Sequence, residues 1–328
     1  MSHALSGSNP GSGASSVSGV PAKPEHAPVE PERRRGRGTT FTDISGSRKA
    51  ANSIATIVVY LTMALALIPL VWVLWDVFAK GLGPVLKPDW WMLSQKSVLY
   101  TKPGGGAVHA IIGTFVQAGI TSLLSIPIGI FTAIYLVEYS RGGWLGRVTT
   151  FMVDILTGVP SIVAALFIYS VWIVLFHFQR SGFAVSLALV LLMVPVIIRN
   201  TEEMLRVVPQ DLREAAYALG VPKWKTIAKI VLPTALSGIV TGIMLAIARV
   251  MGESAPVLIL VGSTQAINWD PMGGPQSSLP LMMLDMYKAS SADVVQAKMW
   301  GAALTLVLII ALLNIGARII SAKFSVKQ

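Results

Sequence analysis

The feature that most constrains the fold is a series of apolar stretches, each long enough to cross the hydrocarbon core of a membrane. They fall near residues 55–79, 110–137, 149–176, 183–203, 234–262 and 299–320. A helix needs about 20 apolar residues to cross a core roughly 30 Å thick. Charged residues make up only 13% of the chain, against about 25% in ordinary soluble domains. The sequence therefore predicts an all-α integral membrane protein with six transmembrane helices.

Residues 1–50 differ from the rest because they are rich in Ser, Gly, Pro and Arg and show no apolar periodicity. Such a segment cannot bury enough surface to fold, so we expect a disordered basic tail, followed by a transmembrane domain over 51–328. No apolar region typical of a secretory signal occurs in the tail. The cluster of Arg33, Arg34, Arg35 and Arg37 is consistent with cytoplasmic retention beside the membrane, or alternatively with binding to anionic lipid.

The distribution of basic residues predicts the orientation. With the N-terminus inside, 18 of the 26 Lys and Arg residues lie on the inner side of the membrane. The positive-inside rule then places both termini and the segment 199–233 in the cytoplasm. The net charge of +10 does not indicate a nucleic-acid partner, because the basic residues cluster at the ends of the predicted spans.

Several kinds of chemistry have no support in the sequence. Cysteine is absent, and the four histidines have no metal-ligand spacing. The triplet Gly104-Gly105-Gly106 lacks the Lys-Ser/Thr of a phosphate-binding P-loop, and we interpret it as a turn. We find no nucleophile–base set or metal cluster, so we expect neither catalysis nor a cofactor of the chain's own.

A polar segment between the fourth and fifth spans carries the most informative motif. After Pro209, apolar residues at helical spacing (Leu212, Ala215, Ala216 and Leu219) predict a short helix. Gly220 is the expected left-handed cap and Pro222 prevents continuation. A second short helix then carries Trp224, Ile227, Ile230 and Val231 toward Pro233. On residue types alone, this is an ordinary cytoplasmic loop or a docking element.

The order Glu214-Ala215-Ala216, then Gly220, then Ile230 and Leu232-Pro233 resembles the pattern of permease subunits in binding-protein-dependent ABC importers. The resemblance implies a type I importer permease (MetI-like) architecture, in which this segment, the coupling loop 199–233, docks on the ATPase through Glu214, Ala215, Ala216 and Gly220. It also implies the partners: a second homologous permease subunit, ATP-binding ABC subunits that bind the ATP, and an extracytoplasmic binding protein. Membrane lipid surrounds such a subunit.

The predicted fifth span contains two charges, Arg249 and Glu253, one helical turn apart. Helical spacing places both on one face with Ala235, Gly238, Gly242, Ala246 and Pro256. Charged groups in the hydrocarbon usually face a bundle interior or a water-filled path. The pair therefore indicates a substrate path, or alternatively a buried pair that fixes helix register.

Two further charges lie near the inner ends of predicted spans. Arg199 closes the fourth span, where a snorkelling arginine is ordinary. Asp154 is expected to pair with a basic loop residue, Arg147 or Arg206.

Three stretches together are similar to the phosphate-specific permease family, PstA: Leu156–Val163, the Glu214 segment, and Ala248–Pro256. This resemblance covers about residues 55–320 and implies a phosphate importer of the bacterial cell membrane. It implies that Arg199 and Arg249 belong to the substrate path, to which the residue pattern alone adds Glu253; Ser254 replaces the threonine usual in the family. The alternatives are an importer permease for sulfate or molybdate, a stand-alone secondary transporter or channel, and a membrane-embedded sensor or assembly factor.

The two predicted outer loops, 80–108 and 263–296, are candidates for receiving the binding protein. Trp90 and Trp91 in the first loop have the character of interface anchors. In the second loop, the apolar run Leu279–Leu284 predicts a short helix lying on the outer membrane surface.

Overall fold

A computed structural model describes residues 46–140 and 142–324 of the chain. The arginine cluster at positions 33–37 lies outside the described residues, as does most of the predicted tail. The described chain divides into two units within its first helix, between Leu61 and Thr62. In the first unit, residues 46–61 are helical, so the last five residues of the predicted tail, 46–50, belong to a helix.

All regular secondary structure in the described ranges is helical. The helices are α1 (Gly46–Val85), α2 (Pro88–Met92), α3 (Val108–Ile134), α4 (Trp144–Thr157), α5 (Ser161–Ile168), α6 (Gly182–Val207), α7 (Gln210–Ala218), α8 (Lys223–Thr226), α9 (Leu232–Met251), α10 (Ala255–Leu260), α11 (Leu279–Ala289) and α12 (Asp293–Phe324). π-helical turns extend α3 through Tyr135–Tyr139 and α5 through Tyr169–Leu175, and a third, Ile227–Val231, joins α8 to α9.

Five continuous helices in the described chain are long and apolar enough to cross a membrane: Gly46–Val85, Val108–Tyr139, Gly182–Val207, Lys223–Met251 and Asp293–Ile319. The predicted span 149–176 is not one straight helix. It divides into α4 and α5, which meet at an angle of 106°. The break follows from Gly158-Val159-Pro160, because proline disfavours the helical region for the residue before it. The α4–α5 pair makes a sixth membrane crossing only if the two helices are counted together as one broken span.

The predicted fifth span, 234–262, also has different limits. Its helix begins at Lys223, so the second half of the polar segment runs into the membrane helix without interruption. Pro233 is accommodated because it occupies the first turn of α9. The helix ends at Met251, Gly252 caps it, and a new helix, α10, begins at Ala255.

The core is built around α6, which packs against α3, α5 and α9. Close approach depends on small residues. A side chain at Gly129 of α3 would meet Ile197, and one at Gly242 of α9 would lie 1.7 Å from the Asn200 side chain. Gly242, Ala235 and Ala246 are buried along the side of α9 that carries this contact. The close-packed side of α9 therefore consists of small residues, as its spacing predicts.

The helix predicted over Leu279–Leu284 exists as α11, but its apolar residues are covered by protein. Leu279, Leu281, Met282 and Met286 are at most 1% exposed. The Leu279 N–H donates to the Thr114 hydroxyl at 2.9 Å, which ties the start of α11 to α3. The prediction of a helix lying on the membrane surface is thus wrong for this face, because periodicity gives no information on which neighbour buries it.

Candidate functional site

The Glu214 motif lies on α7, a short helix bounded as the sequence predicts. Asp211 occupies the first turn, and Gly220 after the helix has φ +74°. The Val221 N–H bonds the Ala216 carbonyl at 3.0 Å, which closes the helix end. Gly220 is needed for its backbone conformation alone, because a Cβ there would have nothing within 4 Å.

The predicted apolar stripe of α7 does not face the protein as a whole. Ala216 is buried, but Leu212, Ala215 and Leu219 are exposed, Leu219 by 83%. Glu214 is also exposed and forms no ion pair within the described residues. The outer side of α7 therefore presents apolar residues together with two carboxylates, Asp211 and Glu214, that form no ion pair within the described residues.

The inner side of α7 is anchored by a buried ion pair that the sequence reasoning missed. Arg213 and Glu138, whose side chains are 8% and 6% exposed, lie 3.0 Å apart. Arg213 also donates to the carbonyls of Leu205 and Val208 at 2.9 and 2.7 Å. The Lys223 ammonium donates to the Glu138 backbone carbonyl.

This arrangement joins three elements: the end of α3, the end of α6 and the start of the polar segment. The bonds of Arg213 also satisfy carbonyls that the end of α6 leaves without helical partners. We call Glu138 and Arg213 the clasp. The signal available in the sequence was Glu138 itself, an acid placed directly after an apolar span.

Arg199 belongs to a second charged cluster toward the C-terminal end of α6. Its guanidinium contacts Asp154, and it bonds the Glu202 carboxylate at 2.9 Å. Arg206 pairs with the other oxygen of Glu202, whose side chain is 6% exposed. The expectation that Asp154 pairs with Arg147 or Arg206 is wrong, because the bend between α4 and α5 places Asp154 beside α6. Arg199 is thus compensated by two carboxylates, beside a cavity of about 420 Å³.

Arg249 and Glu253 do come together, but not on one helix face. α9 ends at Met251, so Glu253 lies in the break before α10. The Arg249 Nε lies 4.0 Å from a Glu253 oxygen, and the side chains are 57% and 20% exposed. The prediction that both charges share the close-packed face is wrong: Gly252 interrupts the helix before Glu253, and the Arg249 side chain is exposed rather than packed. An exposed guanidinium beside a helix break can bind an anion without first losing a strong partner.

The structure keeps the two groups of predicted site residues in different environments. Glu214, Ala215 and Gly220 are exposed on the polar segment, with Ala216 packed inward. Arg249 and Glu253 lie at the far end of α9, while Arg199 is held by carboxylates. Among the described residues, no group of His, Asp or Glu has the arrangement of a metal site.

Comparison with known proteins identifies the class first. The chain belongs to the family of inner membrane components of binding-protein-dependent transport systems, whose family model matches residues 125–326. Among its relatives is the phosphate transport system permease protein PstA 1 of Mycobacterium tuberculosis (strain CDC 1551 / Oshkosh), 52% identical over 281 residues that cover 85% of this chain and 91% of the relative. The phosphate transport system permease protein PstA of Yersinia pestis is 41% identical over 277 residues, covering 84% and 92%.

Solved structures agree on the fold. The chain resembles a chain of the bacterial alginate ABC transporter in complex with a periplasmic protein, with a TM-score of 0.57, 14% identity, and coverage of 85% and 99%. A chain of the inward-facing MetNI methionine ABC transporter gives a TM-score of 0.52 with 20% identity, and coverage of 66% and 94%. At these identities the likeness concerns the fold alone. Together with the family it confirms the predicted all-α importer permease fold, and the relatives confirm the resemblance to PstA.

Proposed function

We propose that this chain is a permease subunit of an ATP-driven importer for inorganic phosphate in the bacterial cell membrane, where it forms half of the translocation path. The observation that carries the proposal is the Arg249–Glu253 pair, which lies at a break in a membrane helix with most of the Arg249 side chain exposed. The naming of the relatives as phosphate transport permeases supports the choice of substrate.

The chemistry of the pair suits phosphate. Arg249 offers a planar fork of donors that stays charged even in a low-dielectric path. At neutral pH phosphate still carries a proton on at least one oxygen, and Glu253 accepts a hydrogen bond from that hydroxyl. Fully ionised sulfate has no such proton. The contact between Arg249 and Glu253 is long, at 4.0 Å, so an entering anion has only a weak ion pair to break. Arg199 is a third member of the proposed path, held in position by Asp154 and Glu202.

The outer side of α7 is the proposed docking surface for an ATP-binding subunit. Leu212, Tyr217 and Leu219 are exposed there beside the unpaired Glu214, and Ala215 permits close approach. An acidic residue among apolar ones suits a groove on the partner that carries a basic side chain. ATP itself is bound by that partner.

The proposal includes the rest of the assembly. A second homologous permease completes the path, lipid surrounds the outer helices, and an extracytoplasmic phosphate-binding protein delivers substrate to the loops 80–108 and 263–296. Both termini lie in the cytoplasm, with 1–50 as a basic tail and 51–328 as the permease domain. Cysteines introduced singly at Tyr217 and Lys96 should then label from opposite sides of the membrane. Labelling of both from outside contradicts this orientation.

Uptake of labelled phosphate into cells that lack the subunit tests the function. The intact chain should restore uptake, arsenate should compete, and sulfate should not. Arg249→Gln should abolish uptake without loss of assembly, and Glu253→Gln should reduce it while admitting more sulfate. Arg318→Gln, which removes another exposed arginine from a membrane helix, is the matched control and should transport normally. Normal uptake by a double leucine variant at Arg249 and Glu253 would end the substrate-path proposal.

A further inference from the structure

A pocket of about 270 Å³ opens between the first outer loop and the start of α12. Its lining includes Lys87, Asp89, Trp90, the turn Gly104-Gly105, and Lys298. We call it the outer pocket. It contains neither Arg249 nor Glu253, and much of its lining belongs to the loop 80–108 proposed above to receive the binding protein.

Lys298 places a buried charge in the lining of this pocket. The residue is 6% exposed, and its ammonium donates to the Lys102 carbonyl at 2.8 Å. Within the described residues no carboxylate lies within 4.0 Å of it, since none of the ion pairs there includes Lys298. An ammonium has three donors and a full charge, and a buried charge is costly unless it is paired. The protein supplies one neutral acceptor, so the counter-charge is missing.

The glycine turn adds donors to the same pocket. Gly104 and Gly105 have φ of +99° and +74°, a backbone conformation that glycine adopts readily. In the described part of the chain, the N–H groups of Gly104 and Gly105, which both line the pocket, have no hydrogen-bond acceptor. Successive free N–H groups in such turns form concavities that bind anions. The turn is therefore a second set of donors, independent of Lys298.

The charges of the pocket favour a small anion. Lys87 and Lys298 contribute two positive charges, and Asp89, which is exposed, opposes them with one. The pocket is large enough for a tetrahedral oxyanion with its remaining water.

We infer that the outer pocket is a second anion site of this permease, which takes inorganic phosphate through the Lys298 ammonium and the N–H groups of Gly104 and Gly105. The identity of the anion rests on the proposed function, since it is the substrate of the importer. A carboxylate from a docked protein would supply the same charge, and the experiment separates the two sources.

The absence of cysteine from the chain allows a local reporter. Ala297 lines the pocket and is partly exposed, so Ala297→Cys places a single thiol at its edge. In the detergent-purified importer complex, without ATP and without the binding protein, phosphate should slow modification of this thiol. Ser291→Cys, on an exposed residue outside the pocket, is the matched reporter and should react at the same rate with and without phosphate.

Variants that change a charge of the pocket, made in the Ala297→Cys protein, test whether positive charge strengthens the protection by phosphate. Lys298→Met should weaken protection more than about tenfold, because it removes a buried charged donor. Lys87→Gln should weaken it about two- to fivefold, and Asp89→Asn should strengthen it by a similar factor, as expected for exposed charges. Lys288→Gln, an exposed lysine outside the pocket, should have no effect. Lys87→Gln and Asp89→Asn alter exposed residues, so the test survives if Lys298→Met fails to fold.

Two results would overturn the inference. One is equal modification of Ala297→Cys with and without phosphate. The other is protection by the binding protein but not by free phosphate, which would make the pocket part of a docking surface. Neither result bears on the proposed function, which fails separately if the unmodified chain restores no phosphate uptake.

Discussion

Replacing Glu138 with glutamine should destabilise the chain by about 3 kcal/mol, the low end of the cost of breaking a buried ion pair. The variant leaves the Arg213 guanidinium, 8% exposed, with neutral acceptors only. Its bonds to the Leu205 and Val208 carbonyls remain, and the new amide oxygen still accepts one bond, which argues for the low end. Arg213→Met should cost a similar amount, because it leaves a buried carboxylate and removes the donors of two carbonyls.

The double variant separates the pair from its surroundings. If each single change costs about 3 kcal/mol, independent effects would sum to about 6 kcal/mol. We expect about 3 kcal/mol for the combination, because neither charge is then left uncompensated. The remaining loss is that of the hydrogen bonds Arg213 donates to the Leu205 and Val208 carbonyls. Glu203→Gln removes an exposed carboxylate of α6 and should change stability by less than about 0.5 kcal/mol.

The measurement is thermal unfolding of the purified complex in detergent, with ATP hydrolysis and phosphate uptake followed in parallel. Each single clasp variant should lower the unfolding midpoint by about 5 °C and reduce uptake per ATP hydrolysed, because α7 loses its attachment to α3 and α6. Additive effects within about 0.5 kcal/mol, or single effects below about 1 kcal/mol, would refute the view that the clasp is a desolvated pair.

Three further predictions concern other parts of the chain. Gly220→Val should leave the protein inserted but without bound ATPase, because it forces a β-branched residue to φ +74°; copurification at wild-type levels would contradict this, and Gly220→Asn is the milder control. Arg249→Lys should lower the uptake rate about tenfold, since a point charge replaces a fork, whereas full uptake would show that charge alone suffices. Burial, followed by the nearby Asp285 charge, raises the pKa of Tyr100 above its usual 10.0; stability should therefore fall as pH rises above about 10, because the folded state retains the proton longer, and Tyr100→Phe should flatten that decline in unfolding measurements.

The sequence was sufficient where the controlling physics is local. Apolar runs locate the membrane helices because each must satisfy its own backbone in lipid. Gly220 was predicted as a left-handed cap because a glycine two residues before a proline ends a helix by backbone sterics. The breaks at Gly158–Pro160 and at Gly252 were missed although their residues were visible, because hydropathy remains high on both sides and a window of apolar residues does not register a bend.

The sequence alone did not predict ion pairs between residues that lie far apart along the chain. Arg213 and Glu138 are 75 positions apart, and Arg199 and Asp154 are 45 apart. Helical spacing places a residue on a face but does not say which helix covers that face. Asp154 is the clear case: Arg147 and Arg206 were its predicted partners, and the fold instead places Arg199 beside it.

The contrast between Arg213 and Arg249 shows how burial and bonding separate structural from functional charges. Arg213 has its carboxylate at 3.0 Å and two backbone carbonyls as further acceptors, so an added anion would have to displace bonds already made. Arg249 has one carboxylate at 4.0 Å and an exposed side chain beside a helix break, so most of its donors remain available to a ligand. A guanidinium that binds and releases substrate needs accessible donors, and the buried Arg213 has none to spare. Lys298 resembles Arg249 in this respect, because a single carbonyl leaves its charge unmet, and the same reasoning that places substrate at Arg249 makes the outer pocket the next position to test.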